Sequence, residues 1–144
     1  MRIPLEFDEE RERLYLNASI KFEQKPPFLV LFVVDTGSPV TFIDEFDSAK
    51  VRIYTQNLDY DHDALLSGTR MGMYGLSKVE MHFRDEKGSI ASFDFKRMMV
   101  AKTEWRRKTA YYTPTSILGL DFIKDTKSSL FINPEKNLAY IEWF

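Results

Sequence analysis

Apolar residues recur at every second position along much of this chain, a period that favours extended strands and leaves little room for helices. In RLYLNASIKF, residues 13–22, Leu14, Leu16, Ala18, Ile20 and Phe22 fall on one face of a strand. LSKVEMHF repeats the pattern through Val79, Met81 and Phe83. After the turn signal RDEKGS, the segment IASFDFKRMMVA offers Ile90, Phe93, Phe95 and Met98 for burial. These two segments read as a β-hairpin with a loop longer than the tightest types. FLVLFVV, residues 28–34, follows the turn signal EQKPP and is apolar without interruption, the mark of a strand buried on both faces. Helical signal is thin. DEFDSAKV has the length for one or two turns, and GLDFIKDTK places Leu120, Ile123 and Lys124 on one side. Several short strands with turns between them predict an all-β fold, a small barrel or sandwich.

The 144 residues suffice for one domain with a proper core, so a single domain is expected over residues 1–144. A net charge of −2 gives no reason to expect nucleic acid or an anionic membrane as partner. The absence of cysteine excludes disulfides and thiolate chemistry and fits a reducing compartment. MRIPLEFDEERERLYL is charged within its first six residues and lacks the apolar core of a signal peptide. The longest apolar run has 7 residues, against the ~20 that a membrane helix needs. The chain is therefore expected in the cytoplasm.

That run ends in an aspartate: VVDTGSPVTFI, residues 33–43, carries Asp35-Thr36-Gly37 and then turns apolar again. Carboxylates avoid the interior unless something pairs with them. One reading makes Asp35 a turn residue that binds local backbone, with Gly37 supplying positive φ. The flanks point elsewhere. With aliphatic residues before it and a small hydroxyl residue after it, the motif resembles the active-site loop of aspartic proteases. TPTSILGLDFI, residues 113–123, resembles a late segment of the retroviral and retrotransposon proteases. Its matching residues are Thr113, Pro114, Ile117, Leu118, Gly119, Asp121, Phe122 and Ile123. TRMGMYGLSKVEMHF, residues 69–83, resembles the Gly-rich flap hairpin of the same family. SSLFINPEKNLAYIEWF would supply the last strands. Together these resemblances identify a retropepsin-like, single-lobed aspartic protease fold: a small closed β-barrel with one short C-terminal helix.

What the resemblance implies is an endopeptidase. Hydrolysing a peptide bond without a metal or a covalent intermediate needs a base to activate water and an acid to protonate the amide. Two carboxylates sharing one proton do both, because like charges so close cannot both ionise. The chain carries one Asp-Thr-Gly only; Asp44, Asp47, Asp94, Asp121 and Asp125 lack the Thr/Ser-Gly that would follow. The expected assembly is a homodimer in which Asp35 of each copy meets the other on a two-fold axis in the apolar interior. Thr36 would then bond across the axis, Gly37 would permit close backbone approach, and the Ser38 hydroxyl would donate to the carboxylate. Gly72, Met73, Tyr74 and Gly75 would form or adjoin the flap tip and bind substrate, unless Met73 and Tyr74 are ordinary strand-end core residues. Pro39 and Val40 stand where retroviral relatives carry acidic residues that grip substrate backbone. A peptide or protein substrate is expected, and no cofactor is implied. The alternative is a catalytically inactive member that uses its dimer or cleft to bind a protein segment.

The remaining clusters carry less. DYDHD, residues 59–63, fails the calcium-loop spacing and reads as a solvated loop. His62 and His82 have no cysteine to join them in a zinc site, so no metal is expected. KTEWRRK, residues 102–108, reads as a charged loop.

Overall fold

The computed structural model describes residues 1–8, 10, 12–66, 69–103 and 115–143. Thr113, Pro114 and most of KTEWRRK lie outside the described residues. The elements, in order, are β1 (Arg2–Pro4), β2 (Glu6–Asp8), β3 (Arg13–Phe22), β4 (Phe28–Val34), β5 (Phe42–Asp44) and α1 (Glu45–Ala49). A 3-10 turn at Thr55–Asn57 leads to β6 (Asp59–Leu66), β7 (Thr69–Arg84), β8 (Ile90–Thr103) and β9 (Ser116–Leu118). Last come α2 (Leu120–Thr126), β10 (Ser129–Asn133), a 3-10 turn at Pro134–Lys136 and β11 (Leu138–Glu142). None of the helices described is long and apolar enough to cross a membrane.

The strands form two sheets. The larger runs β2-β3-β4-β9-β5-β8-β7-β6, and an additional β3–β7 pairing, Ser19↔His82 to Phe22↔Val79, bends it into a ring. Inside lie Leu16, Ala18, Ile20, Val30, Phe32, Val79, Met81, Phe95 and Met98, all buried. The smaller sheet, β1-β11-β10, adds Ile3, Ala139 and Ile141 to the same core. Phe122 of α2 closes one end of the core, edge-on to Phe83 and Phe93 and beside Trp143. The all-β expectation holds. A ring-like sheet stands where a closed barrel was expected, and α1 adds a second short helix to the single one expected.

Period-two patterning placed β3, β7, β8 and the β7–β8 hairpin correctly; its loop is tied by the Asp85 N–H to the Ser89 carbonyl at 2.9 Å. Gly88 at φ +84 makes the turn that a side chain would strain. Three details differ from expectation. β4 is not buried on both faces: Leu29 is 74% exposed and Leu31 is exposed too, because the ring covers only the inner face of the strand's first half. Ile90 stands at the open start of β8 and is exposed, while Ala91, Phe95 and Met98 supply the buried face. DYDHD is not a loop but most of β6, paired with β7 from Asp59↔Gly75 to Leu66↔Thr69 and bulged between Tyr60 and His62. Its side chains are solvated as expected, since this strand ends the sheet.

The inward face switches partway along the β7–β8 hairpin. Leu76 and Val79 are both buried, three positions apart where alternation allows two or four, and so are Phe95 and Met98 opposite them. Lys78 lies between at φ 58, the left-handed backbone that lets the strand rotate its pleat. The distal half of the hairpin therefore turns toward a second apolar cluster, Phe42, Met73 and Ala101, which Ile117, Met71 and Met99 flank.

Candidate active site

The site begins where β4 ends. Asp35 N–H donates to the Leu118 carbonyl of β9 at 3.0 Å, so the strand that precedes the motif is tied to the segment that most resembles the late protease motif. Asp35, Thr36 and Gly37 follow at the surface, all exposed. The Gly37 N–H donates to Asp35 Oδ1 at 2.9 Å, and among the described residues Oδ2 takes no hydrogen bond. Gly37 does not use positive φ; among the described glycines only Gly88 does. Its role is clearance, because a Cβ there would stand 3.0 Å from Asp35 Oδ1.

Contrary to expectation, the carboxylate of the chain is not in the apolar interior: the loop is presented outward. Ser38 also departs from expectation. Its hydroxyl donates to the Val40 carbonyl at 2.8 Å and not to Asp35. Ser38 is buried beneath the loop, where the nearest acceptor able to satisfy its O–H is the backbone two residues on.

The loop is clamped from below by the β9–α2 junction. Gly119 lies against Val40 and Ser38 so closely that a Cβ would come within 2.6 Å of the Val40 carbonyl and 2.8 Å of the Ser38 oxygen. Leu120 N–H donates to that Ser38 oxygen at 2.8 Å. Asp121, in the first turn of α2, accepts from the Thr41 N–H at 3.0 Å and from the Thr41 hydroxyl at 2.6 Å. Thr41 Oγ1 in turn accepts from the Gly119 N–H at 2.9 Å. The buried Thr41 hydroxyl is thereby satisfied as donor and acceptor, and the DTG loop is tied to β9 before it and to α2 after it. The Thr41–Asp121 pairing was not anticipated, although Asp121 was already part of the motif.

Beyond the loop, β5 carries Asp44 into the interior, 2% exposed. Its side chain caps α1 by accepting from Phe46 N–H at 2.9 Å, and its own N–H donates to Ser116 Oγ at 2.8 Å. Ser116 Oγ donates onward to Asp47 Oδ2 at 2.6 Å. Burial, aided by the neighbouring Glu45 and Asp47 charges and opposed by the Phe46 N–H, pushes the Asp44 carboxyl up to about 6.

The expected flap tip is displaced. Gly72, Met73, Tyr74 and Gly75 lie inside β7, paired with β6 on one side and β8 on the other. The last described pair of the β6–β7 ladder is instead Leu66↔Thr69. Met73 is a core residue of the second apolar cluster, and Tyr74 is half-buried with its ring edge-on to Tyr60 at 5.7 Å. The two glycines serve passage of side chains and not a turn. A Cβ on Gly75 would overlap the Arg97 guanidinium, which crosses β7 there to meet Asp61 of β6 at 3.1 Å. The hydrogen bond from His62 at 2.5 Å, with Arg97 beside it, holds the Asp61 carboxyl below the usual carboxylate range. No cluster of three or more metal-ligating side chains occurs among the described residues.

The fold has relatives of known structure. A retropepsin-like aspartic protease from Rickettsia conorii matches with a TM-score of 0.61 at 17% identity, over 97% of this chain and 98% of that one. EIAV protease complexed with an inhibitor matches with a TM-score of 0.50 at 17% identity, over 87% of this chain and 98% of that one. No protein-family model and no curated protein sequence matches. With the Asp-Thr-Gly loop at the end of β4 and the Ile-Leu-Gly strand threading beneath it into α2, the chain has the single-lobed fold of the retropepsin-like aspartic proteases.

Proposed function

We propose that the chain is an aspartic endopeptidase that works as a homodimer, with Asp35 of each copy forming the catalytic pair. The observation that carries this reading is the placement of Asp35: exposed, with Oδ1 held by the Gly37 N–H, on a loop clamped to α2. A carboxylate fixed in direction yet open to solvent is what one half of a dyad needs, and among the described residues Oδ2 is left free to serve it. In the pair, the ionised carboxylate takes a proton from water as the water oxygen attacks the peptide carbonyl carbon. The protonated one gives its proton to the carbonyl oxygen. Collapse of the resulting diol expels the amine as its nitrogen is protonated, and the pair again shares one proton.

The β6–β7 hairpin is the element that would close over substrate, and the partly exposed Ile117, Met71 and Met99, packed on the buried cluster of Phe42, Met73 and Ala101, would line the groove. An extended peptide laid there would be bound through its main chain, with alternate side chains entering apolar pockets. The test is cleavage of a mixed peptide library over a range of pH. Cleavage that Asp35→Asn abolishes supports the enzyme. A dimer that cleaves nothing at any pH would instead support the non-catalytic, segment-binding alternative.

A further inference from the structure

A pocket of about 360 Å³ lies between the β3–β4 turn, the segment that follows α1 and the middle of β7. Neither Asp35 nor the residues that line the proposed groove belong to it. Its volume falls in the roughly 300–1,000 Å³ range of small-molecule sites. The apolar part is built by Ile53 and Leu76, both buried, and by the half-buried Leu58. Four charged residues line it as well: Glu23 and Lys25 on the turn, Arg52 after α1, and Asp59 at the start of β6. Among the described residues, none of these four side chains makes a hydrogen bond or an ion pair. Both signs of charge therefore share one pocket without neutralising each other.

We infer that this pocket binds a small zwitterion with an apolar side chain, an α-amino acid or a short peptide. Lys25 and Arg52 take its carboxylate, Glu23 and Asp59 its ammonium, and Ile53, Leu58 and Leu76 its side chain. A simple anion would leave the two carboxylates unpaired beside it, and a simple cation the two cations; a ligand of both signs neutralises all four. The walls are fixed beforehand. The buried Ser48 hydroxyl donates to the Ile53 carbonyl at 2.9 Å, and the Ile53 N–H donates to the Ser48 carbonyl at 3.1 Å. Across the pocket, Lys21 Nζ donates to the carbonyls of Glu23 and Lys25 at 2.7 Å and 2.5 Å. Glu23 at φ 50 and Arg52 at φ 61 both hold the left-handed backbone that side chains resist. Such backbone, kept at two charged residues of one small pocket, is the mark of a ligand clamp. Asp59↔Gly75 is the first pair of the β6–β7 ladder, so a ligand held here ties the root of that hairpin to the β3–β4 turn. Short peptides are also what the activity proposed above releases, and that link alone rests on it.

The test is calorimetry on the full chain carrying Asp35→Asn, which the proposed chemistry cannot turn over. The probes are the dipeptide leucyl-phenylalanine, its N-acetylated amide, and L-leucine. Saturable binding of the dipeptide is expected, weakened about tenfold or more by capping both ends and by Lys25→Gln with Arg52→Gly. Glycine suits the left-handed backbone at position 52, so the loss of the guanidinium is separated from any loss of fold, which circular dichroism checks. Unchanged binding in that double variant, or a capped dipeptide that binds as tightly as the free one, overturns the site. So does the failure of both zwitterions to bind at millimolar concentration. Tighter binding of the dipeptide assigns the site to peptides and tighter binding of leucine to amino acids; either upholds it. If the dipeptide binds here and the wild type cleaves no peptide, the site stands and the proposed function falls.

Discussion

Two glycines near the DTG loop are needed for different reasons, and substitution separates them. A Cβ on Gly119 would strike backbone atoms of Val40 and Ser38, which cannot move without breaking the loop's hydrogen bonds. Gly119→Ala should therefore lose roughly 1–3 kcal/mol or more in urea unfolding, the range of an overpacked core. On Gly37 the Cβ would press only on the Asp35 carboxylate. Gly37→Ala should leave the unfolding free energy from urea within ~0.5 kcal/mol of wild type while reducing peptide cleavage sharply, because the displaced group is the one proposed to react. Thr41→Val is a third case. It removes the hydroxyl that Asp121 and the Gly119 N–H both use, and leaves that N–H without its partner at a cost of about 1–3 kcal/mol. At this scale the motif was legible because Asp-Thr-Gly and Ile-Leu-Gly-x-Asp are short, local patterns. The bonds that fix it were not. That Ser38 donates to Val40 and Thr41 to Asp121 depends on which groups end up buried together from segments far apart in sequence.

Strands legible from period two were those with one face on the core, β3 and the inner half of the β7–β8 hairpin. The pattern failed where that condition failed. β6 opens on DYDHD and turns apolar only at Ala64, so no alternating apolar face betrays it, and its pairing with β7 is set by the partner strand. β7 changes its inward face at Lys78, and the glycines that suggested a turn at 72 and 75 instead make room for side chains. Two consecutive elements, β5 and α1, give a pH prediction through Asp44. Its folded-state pKa is raised to about 6 from the ordinary 3.8 of an aspartate, so folding takes up a proton between those values. The sign follows: Asp44 favours the folded state fully below pH ~4 and loses that contribution as pH rises through ~6. Asp44→Asn keeps an acceptor for the Phe46 N–H without the charge. In an Asp35→Asn background, where no dyad can titrate, it should gain on the order of 2 kcal/mol over its parent between pH 4 and pH 7. Urea midpoints across that range measure it; a constant difference between the two proteins would show that Asp44 is not the titrating group.

The ring itself could not be read from the sequence in detail, since the β3–β7 pairing that bends the sheet and the parallel β4–β9 pairing beneath the loop join distant segments. Sequence does fix one property of the whole molecule, the count of its motifs. One Asp-Thr-Gly per chain means that a carboxylate pair requires two chains. This makes the proposed activity a property of the assembly, and mixing tests it without reference to any particular interface. Wild type and Asp35→Asn, combined in equal amounts and allowed to exchange, would give about one quarter of dimers with two aspartates and one half with a single one. Cleavage per wild-type chain should then fall to roughly half, and a tenfold excess of the variant should suppress it almost completely. A site complete within one chain responds otherwise: its activity depends only on the amount of wild type present, however much Asp35→Asn is added.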